Sequence, residues 1–328
     1  MESLEDSVRK AVNLHLPGRT VFAIKDRGEW CKRLIEVTLD GDEKVFIKIS
    51  VLEGEQGNVP FDYGGGNKFL REHGLPAARV LVADNTKTIF KYPYVIEEYV
   101  GGTRLGTLLN QVNEDDAQAI FESIGHVYRR MHSILGKRSG IWLDGDPEKV
   151  VGYPNDFMFR MEILEGSGKK AVEEGRVSRS TYYRAVALWA QNMDYLNNHQ
   201  PTIVHGSPLP WSIYLTKEND QWLVTKLTAL GVQWWDPASD LAYIKYMPFV
   251  NPKPEYWEAF IRGYGSTPEK KRILLYAVLF RFMAAMGAFR EPKTAQNRAW
   301  VDTCLQDLDL FMNEIEERQL GNNGGNSR

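Results

Sequence analysis

The chain has 328 residues, of which 43% are hydrophobic, enough to bury the core of one or two domains. The 40 basic side chains nearly balance the 43 acidic ones, so the chain has no overall basic charge that would favour nucleic acid. Its two cysteines, Cys31 and Cys304, lie far apart and form no disulfide framework. The N-terminus has no apolar signal-peptide core, and no uninterrupted apolar run reaches membrane-spanning length. We therefore expect a cytoplasmic protein that binds neither membranes nor nucleic acid.

The first part of the chain predicts one helix followed by a sheet. Helical character over residues 1–16 ends at Pro17-Gly18. Asp40-Gly41-Asp42 is a strong signal for a hairpin turn between two strands. The predicted strands are residues 20–24, 33–39, 45–49, 88–90 and 94–100. A further strand follows the turn at Leu75-Pro76 and ends at Leu81.

The later part of the chain is mostly helical by its pattern. Residues 114–135 place apolar side chains at helical spacing, and residues 141–153 read as a loop. The Gly/Asn-rich tail, residues 321–328, is expected to be disordered. The remaining predicted helices are residues 157–166, 178–196, 256–264, 270–289 and 300–318.

One stretch, residues 202–242, has the pattern of a site. It holds short β-branched runs that flank two polar loops, and loops held between strands commonly carry chemistry. The first loop opens with His205-Gly206, and the second contains Asp236-Pro237 followed by Asp240. This pattern resembles the catalytic core of aminoglycoside phosphotransferases and choline kinases, the small-molecule branch of the protein-kinase fold.

The resemblance implies a fold and a domain division. The fold is α+β and two-lobed like a protein kinase, with a small antiparallel β-sheet N-lobe and a mostly helical C-lobe. We expect the N-lobe, with its N-terminal helix, at residues 1–100 and the C-lobe at residues 101–320.

The positions that carry the chemistry in the family differ here. The family's base aspartate falls on Ser207 and its metal-binding asparagine on Ser212. A gapless count back from Asp236 puts the second metal ligand on Thr228, and residues 221–235 contain no Asp or Glu. Phosphoryl transfer needs a divalent metal, which prefers anionic oxygen ligands, and a carboxylate that orients the acceptor. The sequence therefore predicts a phosphotransferase fold that has lost phosphoryl transfer, with no metal and no cofactor.

In the N-lobe, Lys48 matches the family's ATP-phosphate lysine. The residues alone also allow a solvent-facing strand lysine, but the resemblance points Lys48 into the cleft. The helix glutamate that usually pairs with it falls near residues 63–64, where no acid stands. Glu53, Glu55 or Asp62 could replace that glutamate, and the triple glycine at 64–66 disfavours a regular helix start.

The resemblance places an interlobe hinge at residues 97–100, where backbone groups would meet an adenine. Trp211 stands where the family keeps a small residue, and Trp234 lies in the second loop. Trp235 fits core packing, whereas Trp211 could line either the cleft or the core. Asp236 and Asp240 are expected to brace the loops, and His205 also fits a structural role. The predicted ligand-binding residues are Lys48, Glu98, Tyr99, His205, Ser207, Trp211, Ser212 and Trp234.

Three functional hypotheses follow. The first is a small-molecule-binding protein, either a non-kinase enzyme of metabolite biosynthesis or a pseudokinase, that takes an apolar or aromatic ligand. The second is a residual phosphotransferase that uses Asp236 or Asp240 for metal. The third is a protein-interaction scaffold, so a protein partner stays open beside the small-molecule ligand.

Overall fold

The fold is taken from a computed structural model of the chain. The structure describes residues 3–28, 32–50, 59–143, 145–152, 156–206, 208–228, 233–246, 253–289, 299, 302–303 and 305–323. Among these residues, no helix is both long enough and apolar enough to cross a membrane.

The N-terminal part is a sheet with one helix on each side. Helix α1 starts at a capping box in which the Ser3 side chain accepts from the backbone of Asp6. The five strands pair antiparallel in the order β1-β2-β3-β5-β4. The elements are α1 (Leu4–His15), β1 (Val21–Asp26), β2 (Lys32–Leu39), β3 (Lys44–Ser50), α2 (Val59–Glu72), β4 (Val80–Asp84) and β5 (Tyr94–Glu98).

Strand alternation divides this sheet into two faces. Val45, Ile47 and Ile49 of β3 are buried in one core together with Tyr94 and Ile96 of β5 and the apolar face of α1. Phe46 and Lys48, and Val95 and Glu97, consequently face the other way, because neighbouring side chains on a strand point to opposite faces. The predicted strand at residues 88–90 is not formed, and the partner of β5 is β4 instead.

Helix α2 runs through the three glycines that were expected to disfavour it, so that expectation was wrong. A Cβ at Gly65 would lie 2.4 Å from the carbonyl oxygen of Gly145, whereas one at Gly64 would meet only the Val80 side chain, at 3.7 Å. The glycine at 65 therefore allows a close backbone approach, which outweighs the propensity cost of glycine in a helix.

The C-terminal part is mostly helical, with two small sheets in the orders β11-β10-β6 and β8-β7-β12-β9. Its elements are β6 (Thr103–Arg104), α3 (Leu105–Leu108), α4 (Glu114–His132), β7 (Gly140–Leu143), β8 (Asp146–Val151), α5 (Asp156–Glu173), α6 (Arg179–Gln191), α7 (Met193–Asn197), β9 (Thr202–Val204), β10 (Ile213–Glu218), β11 (Gln221–Leu227), β12 (Gln233–Trp235), α8 (Ala238–Lys245), α9 (Pro254–Tyr264), α10 (Lys270–Phe289) and α11 (Leu308–Asn323). Helices α4, α6, α8, α9 and α10 contribute to one large core.

Two predictions in this part need correction. Residues 141–153 were expected to be a loop, but most of them form the β7–β8 hairpin, in which Trp142 is buried against the C-terminal core. Residues 321–323, expected to be disordered, are the last residues of α11, and residues 324–328 lie outside the described chain. Helix α10 has the predicted bounds, and its one interrupting charge, Arg281, pairs with Asp307 at 2.9 Å. The division at residue 100 stays a prediction.

Candidate functional site

The loop that follows β9 is held by the strand beside it and by a bend in its own backbone. Strands β9 and β12 pair antiparallel, with Val204 opposite Gln233, so the end of β9, where the His205-Gly206 loop begins, lies beside the start of β12. Gly206 adopts a positive φ of 77°, which glycine tolerates without a steric penalty. Ser207, the next residue and the position of the family's base, lies outside the described residues.

Asp240, in the first turn of α8, joins this loop to the helices. Its carboxylate accepts from the backbone N–H of His205 at 2.7 Å and from that of Gly206 at 2.9 Å. His132, at the end of α4, approaches the same carboxylate through Nε2 at 3.3 Å. Asp240 and His205 are both fully buried, so neither side chain is open to a ligand. The ligand-binding prediction for His205 is therefore corrected to a packing role.

Asp236 is committed in the same way. One carboxylate oxygen accepts from the backbone N–H of Ala238 at 2.9 Å, and the other accepts from Arg272 at 2.8 Å. Only 1% of Asp236 is exposed. A metal ion at Asp236 would have to displace the partly buried guanidinium of Arg272.

The two predicted metal-ligand positions, Ser212 and Thr228, come together. Thr228 donates its backbone N–H to the carbonyl of Ser212 at 2.9 Å, and its hydroxyl reaches the same carbonyl at 3.3 Å. The Ser212 hydroxyl donates to the carbonyl of Leu209 at 2.7 Å. The pair is neutral, and nowhere in the described chain do three or more His, Cys, Asp or Glu side chains form a group that could hold a metal ion.

Lys48 faces the space between the two sheets, where it belongs to a buried polar cluster that we call the interlobe cluster: Lys48, Tyr63, Glu97 and Lys226. The ammonium groups of Lys48 and Lys226 lie 3.0 Å and 2.6 Å from the same oxygen of Glu97, Oε1. The Tyr63 hydroxyl accepts from Lys48 at 2.8 Å and donates to Oε2 of Glu97 at 2.6 Å. The cluster therefore joins β3, α2, β5 and β11 around one carboxylate.

All four residues of the interlobe cluster are at most 8% exposed. Burial alone would raise the pKa of Glu97, but the positive charges of Lys48 and Lys226 outweigh it and lower that pKa to about 2. Burial alone would lower the pKa of Lys48, but the charge of Glu97 outweighs it and raises that pKa. Burial and the same carboxylate raise the pKa of Tyr63. At neutral pH Glu97 is thus a carboxylate, Lys48 an ammonium ion and Tyr63 a neutral phenol.

The predicted hinge residues have other partners. The Glu98 carboxylate pairs with Arg71 at 2.6 Å and accepts from the backbone N–H of Arg79 at 2.8 Å. The Tyr99 ring is 40% exposed and packs on Phe46, with ring centroids 5.1 Å apart.

The two tryptophans predicted to bind ligand differ in exposure. Trp234 is 7% exposed and packs against Trp142 and Phe69, and its indole N–H donates to the carbonyl of Pro147 at 3.0 Å. Its ring packs in the buried core, so the prediction that Trp234 binds ligand is corrected to a packing role. Trp211 is 37% exposed and lies outside the buried core.

The chain has an N-terminal sheet, a mostly helical C-terminal part and a His205-Gly206 loop held by Asp240. Together these features are those of a kinase-like fold. A family model described as the phosphotransferase enzyme family matches residues 67–274, more than half of the chain, so the chain belongs to this family. A search of curated proteins found no match.

Solved structures share the fold at low sequence identity. A thermostable variant of the aminoglycoside phosphotransferase APH(4)-Ia, in complex with AMP-PNP and hygromycin B, is 14% identical, with a TM-score of 0.68 over 94% of this chain and 98% of that chain. The APH(2")-IIIa complex with GDP and kanamycin is 12% identical, with a TM-score of 0.66 over 95% and 99%. A Thermobifida fusca protein provisionally named a fructosamine-3-kinase is 17% identical, with a TM-score of 0.60 over 91% and 97%.

Sequence reasoning missed three members of the interlobe cluster. We sought an acid on α2 as the partner of Lys48, whereas Tyr63 stands there and the carboxylate comes from Glu97 on β5. Lys226 has a weaker signal than Lys48, since it stands on its strand between Thr225 and Leu227, whereas Lys48 stands between two isoleucines. The two lysines come from different lobes and pair with the same carboxylate, Glu97. This arrangement depends on the tertiary structure and leaves no local pattern in the sequence.

Proposed function

We propose that this protein binds a small molecule and does not transfer phosphate. The observation that carries the proposal is the state of the loop acids. Asp236 and Asp240, the two acids of the family pattern that this sequence retains, both accept internal hydrogen bonds. The metal-ligand positions hold the neutral hydroxyls of Ser212 and Thr228.

The same observation weighs against a residual phosphotransferase. A metal bound by Asp240 would take the acceptor from the buried backbone N–H of His205 and the partly buried one of Gly206, at about 1–3 kcal/mol for each buried donor left unpaired. A metal bound by Asp236 would leave the partly buried Arg272 without its counter-ion, which adds a further cost. Hydroxyl ligands alone replace a carboxylate and an amide poorly around Mg²⁺.

The predicted binding surface lies at the tip of the His-Gly loop. The carbonyl of Pro210 accepts from the backbone N–H of Gly106 at 3.1 Å, which holds the tip against the start of α3. Trp211 follows directly and is partly exposed. A partly exposed indole on a fixed loop suits an apolar or aromatic ligand, with Ser212 beside it. Such a ligand fits a pseudokinase or a biosynthetic enzyme that has lost its kinase reaction, and we place either in the cytoplasm.

The test is a phosphotransfer assay with γ-labelled ATP and Mg²⁺ against aminoglycoside, choline and sugar acceptors. An active aminoglycoside phosphotransferase serves as the positive control. We expect no labelled product and no Mg²⁺-dependent rise of the melting temperature with ATP. Label transferred to any acceptor would refute the proposal.

A further inference from the structure

The space between the N-terminal sheet and the β10–β11 hairpin is bounded by side chains from both parts. From above, β3 and β5 direct Phe46, Lys48 and Glu97 toward it, since their neighbours on each strand are buried in the opposite core. From below, Tyr214 of β10 pairs in register with Lys226 of β11. Ile213, Leu215 and Leu227 on the same strands are buried in the C-terminal core, so Tyr214 lies on the face toward the N-terminal sheet.

Lys226 fills this space. Its ammonium lies 5.0 Å from the centroid of the Phe46 ring and 5.3 Å from that of the Tyr214 ring. The Glu97 carboxylate, 2.6 Å away, fixes its position, and only 1% of Lys226 is exposed. The ammonium therefore has a carboxylate and two aromatic rings as neighbours, which is the set of groups that recognises a bound organic cation.

We propose that Lys226 and Glu97 exclude nucleotides from this protein by occupying the interlobe space themselves. A base stacked on an aromatic ring lies about 3.5–4 Å from it. The Lys226 ammonium, 5.0 Å from the Phe46 centroid and 5.3 Å from the Tyr214 centroid, is close enough to both rings to obstruct a base stacked on either. Glu97 holds Lys48 as well, so the lysine that would meet a phosphate is already paired with a carboxylate. Lys226 and Glu97 thus prevent nucleotides from binding. This inference rests on the proposed function.

The two side chains, rather than the backbone, close the space. The walls are Phe46 and Tyr214, and an aromatic wall is compatible with a stacked base. Truncating a buried side chain leaves a cavity that a small ligand of matching shape can occupy. Shortening both side chains leaves the Lys48 ammonium with the Tyr63 hydroxyl but without the Glu97 carboxylate, whereas shortening Lys226 alone keeps the pair of Lys48 and Glu97.

The experiment titrates adenosine into four proteins by calorimetry: wild type, E97A/K226A, E97Q/K226M and K226A. Adenosine carries no phosphate, so its binding reports on the base site without metal. E97Q/K226M is the matched control, because it removes both charges and keeps the volume. K226A leaves Glu97 paired with Lys48 and Tyr63, so it supplies the same test if E97A/K226A does not fold.

We expect no adenosine binding by wild type or E97Q/K226M up to about 1 mM. The alanine variants should bind adenosine with a dissociation constant at least about tenfold below that concentration. Folded alanine variants that do not bind adenosine would overturn the inference and leave the proposed function standing. Binding by wild type, or by E97Q/K226M as tightly as by E97A/K226A, would also overturn it. Label transfer by wild type in the assay above refutes the proposed function separately.

Discussion

Replacing Asp240 with alanine tests the brace of the His-Gly loop. The change removes the acceptor of two backbone N–H groups, the buried one of His205 and the partly buried one of Gly206, and a partner of His132. Each buried donor left unpaired costs about 1–3 kcal/mol, so we expect Asp240→Ala to lower the free energy of unfolding by about 2–6 kcal/mol. This is a large share of the roughly 5–15 kcal/mol that a folded protein has.

Urea denaturation followed by circular dichroism measures this loss. Asp115→Ala is the control, because Asp115 is an exposed aspartate in the first turn of α4 and its removal should cost less than about 1 kcal/mol. Asp240→Asn should recover only part of the loss, since one of its two head-group atoms no longer accepts. An Asp240→Ala variant as stable as Asp115→Ala would show that the carboxylate does not brace the loop.

Three further predictions follow. The pKa of Glu97 is lowered from 4.5 to about 2, so this group stabilises the fold above pH 4.5, and the stabilisation is lost as the pH falls from 4.5 through 2. Over that window, urea titrations should show wild type losing on the order of 3 kcal/mol more than E97Q/K226M, and equal losses would contradict the pKa shift. Gly65→Ala should lower the melting temperature because its Cβ meets the Gly145 backbone, whereas Gly64→Ala should raise the free energy of unfolding by about 0.5–1 kcal/mol; two shifts of the same sign would refute the packing explanation. Trp211→Gly should weaken binding of a ligand found by native mass spectrometry about tenfold without unfolding the protein, and unchanged affinity would place the ligand elsewhere.

The sequence predicted the parts of the site that depend on local spacing. Asp236, Asp240 and His205 stand at fixed offsets within short loops, and the structure places the Asp240 carboxylate on the backbone of His205 and Gly206. The kinase-like fold is confirmed by the family match and by the solved structures, because it too depends on a motif and on the order of strands and helices.

The remaining features depend on contacts between distant segments. Glu97 and Lys226 are 129 residues apart, and no residue beside either of them in the sequence predicts that they form an ion pair. Helix propensity alone predicts that Gly65 disfavours a helix, whereas the structure requires glycine there because the backbone of Gly145 approaches it closely. Trp234 resembled a site residue because it lies in a loop motif, but the β7–β8 hairpin that covers it was itself read as a loop.

The central claim, that the protein's own side chains occupy the interlobe space, is tested most directly by competitive lysine acetylation with mass spectrometry. Side-chain exposure is 9% for Lys48 and 1% for Lys226, against 77% for Lys68 and 86% for Lys137. We expect Lys48 and Lys226 to stay unmodified in the native protein while Lys68 and Lys137 react, with the same pattern when Mg²⁺ and ATP are added. Rapid acetylation of Lys48 that Mg²⁺ and ATP suppress would contradict the account, because it would show an open slot that binds nucleotide.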